Sequence, residues 1–243
     1  MIKNVPFERP APEVVEALRG LPVAAVYDVL LNEGLAHCYI EGLQAMTPGK
    51  CIVGPAVTVR YLPTREDLAP KDQEDRTRFA DFQALEFAQA GDVLVFDGGG
   101  MAPAAMVGDV FITRLRVKGV AGIVIDGYVR DLKELRASGL GVYARGANVI
   151  PVTPRVLPAD LNVPVQCGGA TILPGDLILT DDDGAIVIPK AVAAKVAEHA
   201  REKEELESFI REQLLAHPDM PASEIYPVRD KTREAYKKDR RLH

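Results

Sequence analysis

The chain offers little with which to build several common kinds of site. Its three cysteines, Cys38, Cys51 and Cys167, lie far apart and in no metal-ligand spacing, so they read as reduced, partly buried thiols. Its four histidines, His37, His199, His217 and His243, are scattered. There is no Walker loop, no GxGxxG, no GxSxG and no CxxC, which removes the usual signatures of nucleotide binding, serine hydrolysis and thiol redox chemistry. No stretch approaches the roughly 18 apolar residues of a membrane span. The opening residues MIKNVPFERPAPEVV have no apolar core of signal-peptide length, so a cytoplasmic protein with no membrane partner is expected. A net charge of −6 without any concentrated Lys/Arg block argues against a nucleic-acid partner and leaves small anions at a local site.

What is present is ordinary for a globular chain: 243 residues, 47% hydrophobic and 26% charged. One α/β domain is expected over residues 1–216. A polar, basic extension over 217–243, punctuated by Pro218, Pro221 and Pro227, is expected to lie over a neighbouring subunit. No internal repeat is evident.

Helical spacing of Val14, Val15, Leu18 and Leu21 predicts a helix from Pro12 to Leu21, and Val23 to Leu31 predicts a second, with Asp28 as its one charge and expected to be buried. Ile52 to Leu62 alternates as a strand, and Gly54-Pro55 within it suggests an edge or a bulge. The charged run from Pro63 to Arg78 reads as a solvated loop leading to a helix at Phe79 to Phe87. Beyond Gly139 the chain reads as short strands at Val142–Arg145, Val149–Val152, Val163–Gln166, Ile172–Leu173, Leu177–Thr180 and Ile186–Ile188. Asp181-Asp182-Asp183-Gly184 lacks the downstream glutamate of a calcium loop and reads as a hairpin turn. A long helix runs from Ala191 to Leu215.

The densest stretch is Gly91 to Leu132. Val93 to Phe96 is a short apolar run of the kind buried on both faces of a parallel sheet, and Gly98-Gly99-Gly100 follow it. A helix is expected over Ala104 to Lys118, then the strand VAGIVID, then a short helix opened by Arg130 and Asp131. This alternation predicts parallel strands joined by a right-handed crossover, and ligands in such sheets sit at the carboxyl ends of the strands. The triple glycine, without Lys or Ser/Thr, fits a tight turn at least as well as a phosphate loop.

With no histidine or thiol in this stretch, carboxylates and an arginine must carry any chemistry. Asp109 and Asp131 at neighbouring helix starts favour a hard cation, Mg²⁺ or Mn²⁺, held by few protein oxygens and several waters. Arg130 offers a fork for a substrate carboxylate, and the Val110 and Phe111 amides at a helix N-terminus could hold the same anion. The alternative is that both aspartates are helix caps and Arg130 is their salt-bridge partner. Pattern alone leaves both open.

Asp109, twenty residues and then Arg130-Asp131, set within GDVLVFDGGG and GVAGIVIDGYVRD and followed by PGDLILTDDDGAIVIP, resembles the 4-hydroxy-4-methyl-2-oxoglutarate/4-carboxy-4-hydroxy-2-oxoadipate aldolase family. That family of class II pyruvate aldolases is related to the regulator of ribonuclease activity A. The likeness runs from about Leu21 to Leu215 and takes in GPAVTVR at Gly54 to Arg60.

The resemblance implies an α/β layered sandwich with a central β core, of the swivelling-domain type, assembled as a homotrimer or homohexamer with its site at a subunit interface. It implies Asp131 as ligand of Mg²⁺ or Mn²⁺ and Asp109 as orienter of metal-bound water. Arg130 would bind the pyruvate carboxylate and stabilise the enolate, with the Val110 and Phe111 amides and room at Gly99 and Gly100 completing the substrate site. A glutamate from a neighbouring chain's C-terminal helix would join the water network; Glu204 is chosen, with Glu202, Glu205 and Glu207 close in register.

The implied activity is cleavage of a 4-hydroxy-2-oxo acid to pyruvate, with decarboxylation of oxaloacetate by the same enolate chemistry. The charged run after Pro63 and the tail after His217 depart from the family pattern on the side where substrate would approach. Two rivals are a regulator that binds a ribonuclease or helicase and needs no metal, and a methyltransferase, which would need an S-adenosylmethionine pocket.

Overall fold

A computed structural model describes residues 4–67, 76–100, 104–152, 155–221 and 230–239. Helix α1 (Pro12–Leu18) and α2 (Val23–Asn32) precede a short strand β1 (Gln44–Ala45) and the long β2 (Ile52–Pro63). Next come α3 (Ala80–Phe87), β3 (Val93–Asp97), β4 (Ala105–Val107), α4 (Asp109–Val117), β5 (Gly122–Val129), α5 (Leu132–Ser138) and β6 (Gly141–Ala147). The chain continues through β7 (Val156–Leu161), β8 (Val165–Cys167), β9 (Ala170–Ile172), β10 (Leu177–Asp181), β11 (Gly184–Ile188), α6 (Ala193–Ala216) and α7 (Asp230–Asp239).

The main sheet runs β1-β6-β5-β3-β2-β10-β11, with β4 added on β5 and β7 on β2. Strands β2, β3, β5 and β6 are mutually parallel and β4 joins β5 in parallel, whereas β1, β7, β10 and β11 pair antiparallel. The parallel centre follows from the sequence. Val93, Leu94, Val95 and Phe96 are fully buried, because successive side chains point to opposite faces and both faces are covered. Val93, Val95, Val124 and Tyr143 pack with Leu18 of α1, Val26 of α2 and Val196 of α6. Leu94, Phe96, Ile123, Ile125 and Val142 pack with Leu85 of α3, Ile112 of α4 and Leu135 of α5. The result is an α/β layered sandwich around a central sheet, as expected.

Several local expectations are corrected. Residues 105–107, expected in a helix, form β4 beside the end of β5, and the helix starts only at Asp109. Val149–Val152 is not a strand: the Asn148 side chain accepts the Ile150 amide at 2.8 Å and turns the chain, while Val156–Leu161 forms β7 despite Pro158. Gly54-Pro55 marks no bulge, and β2 is not an edge strand of the sheet, but at these two residues it pairs with β10 alone, its register with β3 starting at Ala56. Both residues register with β10, and the bare Gly54 lets the Gly91 carbonyl approach where a Cβ would overlap it; the bulge lies at Arg60/Tyr61. Asp28 is exposed and meets Lys203 of α6 at 3.1 Å. The first helix ends at Leu18, short of Leu21. Half of the charged run, 68–75, lies outside the described residues.

The aspartate turn is a staple. Asp181 accepts the Val23 amide at the start of α2 at 2.8 Å, and Asp182 accepts the Gly49 amide at 2.8 Å, so these carboxylates are committed to main chain. At the far end, α7 lies on α6 of its own chain, with Tyr236 against Phe209 and its hydroxyl donating to Glu205 at 2.8 Å. No helix among the described residues is long and apolar enough to cross a membrane.

Candidate active site

Two crossovers return to the sheet on the same face, and their helices start side by side. Helix α4 begins at Asp109 after the N-cap Gly108, and α5 begins at Leu132 after the N-cap Asp131. Neither helix has a side-chain cap of its own. Instead Asp131 turns its carboxylate away from α5 and accepts the Asp109 amide of α4 at 3.2 Å. Arg130 Nε stands 3.4 Å from the same Oδ2. Among the described residues no hydrogen bond reaches the other carboxylate oxygen, Oδ1. The cap interpretation therefore holds in an altered form, with Asp131 capping the neighbouring helix rather than its own.

Backbone strain marks the same place. Asp131 has φ 60 and ψ 43, left-handed values that a non-glycine residue adopts at a cost of about 1–3 kcal/mol. Gly108 makes room for the cluster: a Cβ there would overlap Asp131 Oδ2 and come within 3.0 Å of Arg130 Nε. The first-turn amides of Val110 and Phe111, left without a side-chain cap, remain available to an anion.

Arg130 divides two open grooves. One, of about 640 Å³, is lined by Arg130, Asp131, Leu132 and Ala147 to Val149. The other, of about 460 Å³, runs between α3 and α4 past Asp109, Phe111, Phe82 and Arg114. Both fall in the size range of small-molecule sites. The rim carries bare apolar groups, with Val110 78% and Val149 83% exposed.

The triple glycine lies at the ends of β3 and β5, with its amides turned inward. Gly98 donates to the Phe96 carbonyl, Gly99 to Asp97 Oδ1 at 3.1 Å and Gly100 to the Asp126 carbonyl at 3.2 Å. Gly99 and Gly100 have φ near +60, and a Cβ on Gly100 would meet Arg145 Nε at 2.9 Å. This is the tight turn of the two readings above, offering room at the exposed Gly99 rather than donors.

Beneath that turn sits an ion pair that sequence reading passed over. Asp126, 1% exposed, accepts Arg145 Nε through Oδ1 and the Gly168 amide through Oδ2 at 3.0 Å. The hydrogen bond from Arg145 to Asp126 raises the arginine pKa further above its ordinary value. Burial raises the Asp97 carboxyl and drives the Cys167 thiol well above the usual range. The signal was available in the sequence: Asp126 and Arg145 are the first charges after the apolar runs of β5 and β6, which are adjacent parallel strands.

Glu204 is not brought to this cluster within one chain. It lies on α6, against the face of the sheet opposite to α4 and α5, and Arg211 Nη2 donates to it at 2.5 Å. The chain thus assembles Asp109, Val110, Phe111, Arg130 and Asp131 at one sheet edge, with Gly99 and Gly100 in the turn after β3. Arg114, Phe82, Asn148 and Val149 join as groove walls that periodicity did not single out.

Residues 23–187, more than half of the chain, match the RraA-like family described as Aldolase/RraA. A Halalkalibacterium halodurans protein named "Putative 4-hydroxy-4-methyl-2-oxoglutarate aldolase" is 31% identical over 192 residues, covering 79% of this chain and 84% of that one. An Ectopseudomonas mendocina protein of the same name is 40% identical over 111 residues, 46% of this chain and 68% of that one. Among solved structures, Streptomyces coelicolor RraAS2, described as an unusual member of the RNase ES inhibitor RraA protein family, superposes with a TM-score of 0.76 at 35% identity. That match covers 85% of this chain and 99% of the other. Its fold, its site-bearing segment and these relatives together make the chain a member of the Aldolase/RraA family.

Proposed function

We propose that this protein is a divalent-metal-dependent pyruvate aldolase that cleaves a 4-hydroxy-2-oxo acid resembling 4-hydroxy-4-methyl-2-oxoglutarate. The observation that carries the reading is the junction of Asp131 with the Asp109 amide at 3.2 Å and Arg130 Nε at 3.4 Å, held on a strained backbone over Gly108. Structural caps alone do not call for an aspartate in a left-handed conformation.

The donor set fits a hard cation. Among the described residues no three His, Cys, Asp or Glu side chains converge on one point, so a protein cage for a soft metal is absent there. Asp131, with its unoccupied Oδ1, offers one carboxylate oxygen, and Mg²⁺ and Mn²⁺ accept few protein oxygens when waters and substrate supply the rest. Held by Asp131, such an ion would supply Lewis-acid stabilisation for the charge that develops as the C3–C4 bond breaks.

The chain's own residues carry the remaining steps. Arg130 grips the carboxylate of the 2-oxo acid, and the Val110 and Phe111 amides take its second oxygen. The exposed Gly99 leaves space over the turn, while Arg145 packs against Gly100 beside it. Asp109 draws the proton from the C4 hydroxyl through a water as the C3–C4 bond breaks, releasing a carbonyl product and leaving the enolate of pyruvate, which is then protonated at C3. The same arrangement would decarboxylate oxaloacetate. Glu204 of a second copy completes the proton network in a homotrimer or homohexamer; the exposed Val110 and Val149 beside the site support such an interface. Residues 1–216 form the catalytic domain in this reading, and 217–243 an extension at the subunit boundary.

A coupled pyruvate assay over a small panel of 4-hydroxy-2-oxo acids and oxaloacetate, with and without Mg²⁺, tests this. Pyruvate release that requires the cation and vanishes in Asp131→Ala is expected; full turnover in excess chelator or in Asp131→Ala sinks it. A second reading, a non-catalytic regulator that binds a ribonuclease or helicase, draws on the likeness to RraAS2. Capture of such a partner, unchanged in Asp131→Ala and without pyruvate release, would favour it.

A further inference from the structure

We infer that Arg114 is the specificity-determining residue of this site and reads a second carboxylate, distal to the reacting carbons, in the groove between α3 and α4. The inference rests on the aldolase reading for where the first carboxylate sits. From that point one of the two grooves divided by Arg130 continues between α3 and α4, and of the two it alone has a second basic side chain in its lining. It starts at Arg130 and the first turn of α4, passes between Phe82, Leu85 and Phe111, and reaches Arg114. Phe82 and Phe111 meet edge to face with centroids 6.3 Å apart, so the middle of the groove is an apolar wall. Arg114 follows Val110 by four residues, a separation of about 6 Å along the helix axis on the same face. That spacing suits the two carboxylates of a short 2-oxo diacid, one at each end, with the apolar wall beside its carbon chain.

Among the described residues that line the groove, Arg114 is the cation at its far end, and its partner there holds it loosely. Lys118, one turn further on, is committed to the C-terminal carbonyls of α3, donating to Leu85 O and to Glu86 O at 2.7 Å. Arg130 is committed to Asp131 and the first carboxylate. Of the acids, Asp81 is buried and accepts the Phe82 amide at 2.9 Å, and Asp109 lies at the near end. Among the described residues Glu86 alone pairs with Arg114, through one contact at 3.3 Å between side chains that are 72% and 49% exposed. A single-contact pair so open to water holds its arginine weakly, and a substrate carboxylate that engages both guanidinium nitrogens displaces it. Glu86 thus acts as a stand-in for the ligand.

Calorimetric titration in the presence of Mg²⁺ tests the assignment with two probes, 2-oxoglutarate and 2-oxobutanoate. The wild type is expected to bind the diacid at least about tenfold more tightly than the monoacid. Arg114→Leu is expected to abolish that preference while its affinity for 2-oxobutanoate is unchanged; Arg114→Lys restores part of it, and Glu86→Gln strengthens diacid binding. Equal affinity of the wild type for both acids, binding of neither, or a preference that survives in Arg114→Leu overturns the proposal. Should Arg114→Leu fail to fold, the Arg114→Lys and Glu86→Gln affinities decide in the same way. Pyruvate release judges the aldolase reading separately: diacid selectivity without turnover would retain Arg114 as an anion reader and reject the chemistry.

Discussion

The main-chain amide of Asp109 donates to the carboxylate of Asp131 at 3.2 Å, so the first residue of α4 and the residue that opens α5 form one unit although 22 positions separate them. The unit is possible because β3, β5 and β6 are parallel neighbours, which brings the starts of both crossover helices to the same sheet edge.

Gly108→Ala tests how closely that unit is built. A methyl group would overlap Asp131 Oδ2 and crowd Arg130 Nε, while the φ of −131 at Gly108 imposes no glycine-only backbone. Pyruvate release is expected to fall by about a hundredfold, as for a displaced catalytic group, with a thermal midpoint close to that of the wild type. A steady-state assay beside a melting curve separates the two effects.

Asp131→Asn and Asp131→Ala should differ in stability and agree in chemistry. Asparagine tolerates the left-handed conformation and still accepts the Asp109 amide; alanine does neither. Alanine is expected to cost about 1–2 kcal/mol more than asparagine in denaturant unfolding. Both variants are expected to lose Mg²⁺ binding by calorimetry.

Arg9→Ala is expected to destabilise the fold without touching the site. Arg9 lies 5.1 Å from the ring centroids of both Phe7 and Phe87 and forks onto Asp92 at 2.8 and 2.7 Å, and Asp92 is fully buried. Removing the cation leaves that buried charge without a counter-ion, although it still accepts the Gln89 amide at 2.8 Å, and should cost about 3 kcal/mol. Urea unfolding measures the loss, and the KM of the folded variant should be unchanged.

Tyr143→Phe should change the alkaline limb of stability. The buried hydroxyl donates to the Lys50 carbonyl at 2.5 Å, and burial pushes its pKa up to about 12, above roughly 10 in the unfolded chain. A raised pKa means the folded state holds its proton longer, so this contribution is complete below pH ~10 and is lost as pH rises towards ~12. Between those values the denaturation midpoint of the wild type should fall more steeply than that of Tyr143→Phe. Parallel curves would show that the tyrosine proton contributes nothing.

Much of the layered fold was legible because it is written in short periods. Val93 to Phe96 and Ile123 to Ile125 are apolar at every position, which only a strand covered on both faces explains. The errors fall where a long-range partner decides the local structure. Residues 105–107 became a strand because the end of β5 offered unpaired main chain beside them, and Gly54-Pro55 could sit in a central strand because it pairs there with β10 alone and Gly54 has no Cβ to meet the Gly91 carbonyl. Asp28 read as buried because its sequence neighbours are apolar, yet the α2 turn carries it to the surface against Lys203. The Asp126–Arg145 pair escaped notice because each charge, taken alone, ends an apolar run unremarkably.

The sequence by itself determined the alternation of strands and helices, and through it the edge at which Asp109, Arg130 and Asp131 must gather, since residues that end parallel strands or open their crossovers share one end of the sheet. Tertiary structure decided how they are used. Only packing shows Asp131 capping the neighbouring helix rather than its own, Gly108 bare so that the carboxylate fits, the triple-glycine amides spent on Phe96, Asp97 and Asp126, and Arg114 facing a groove with a weakly held partner. Those choices depend on contacts between segments far apart in the chain, and local periodicity carries no record of them.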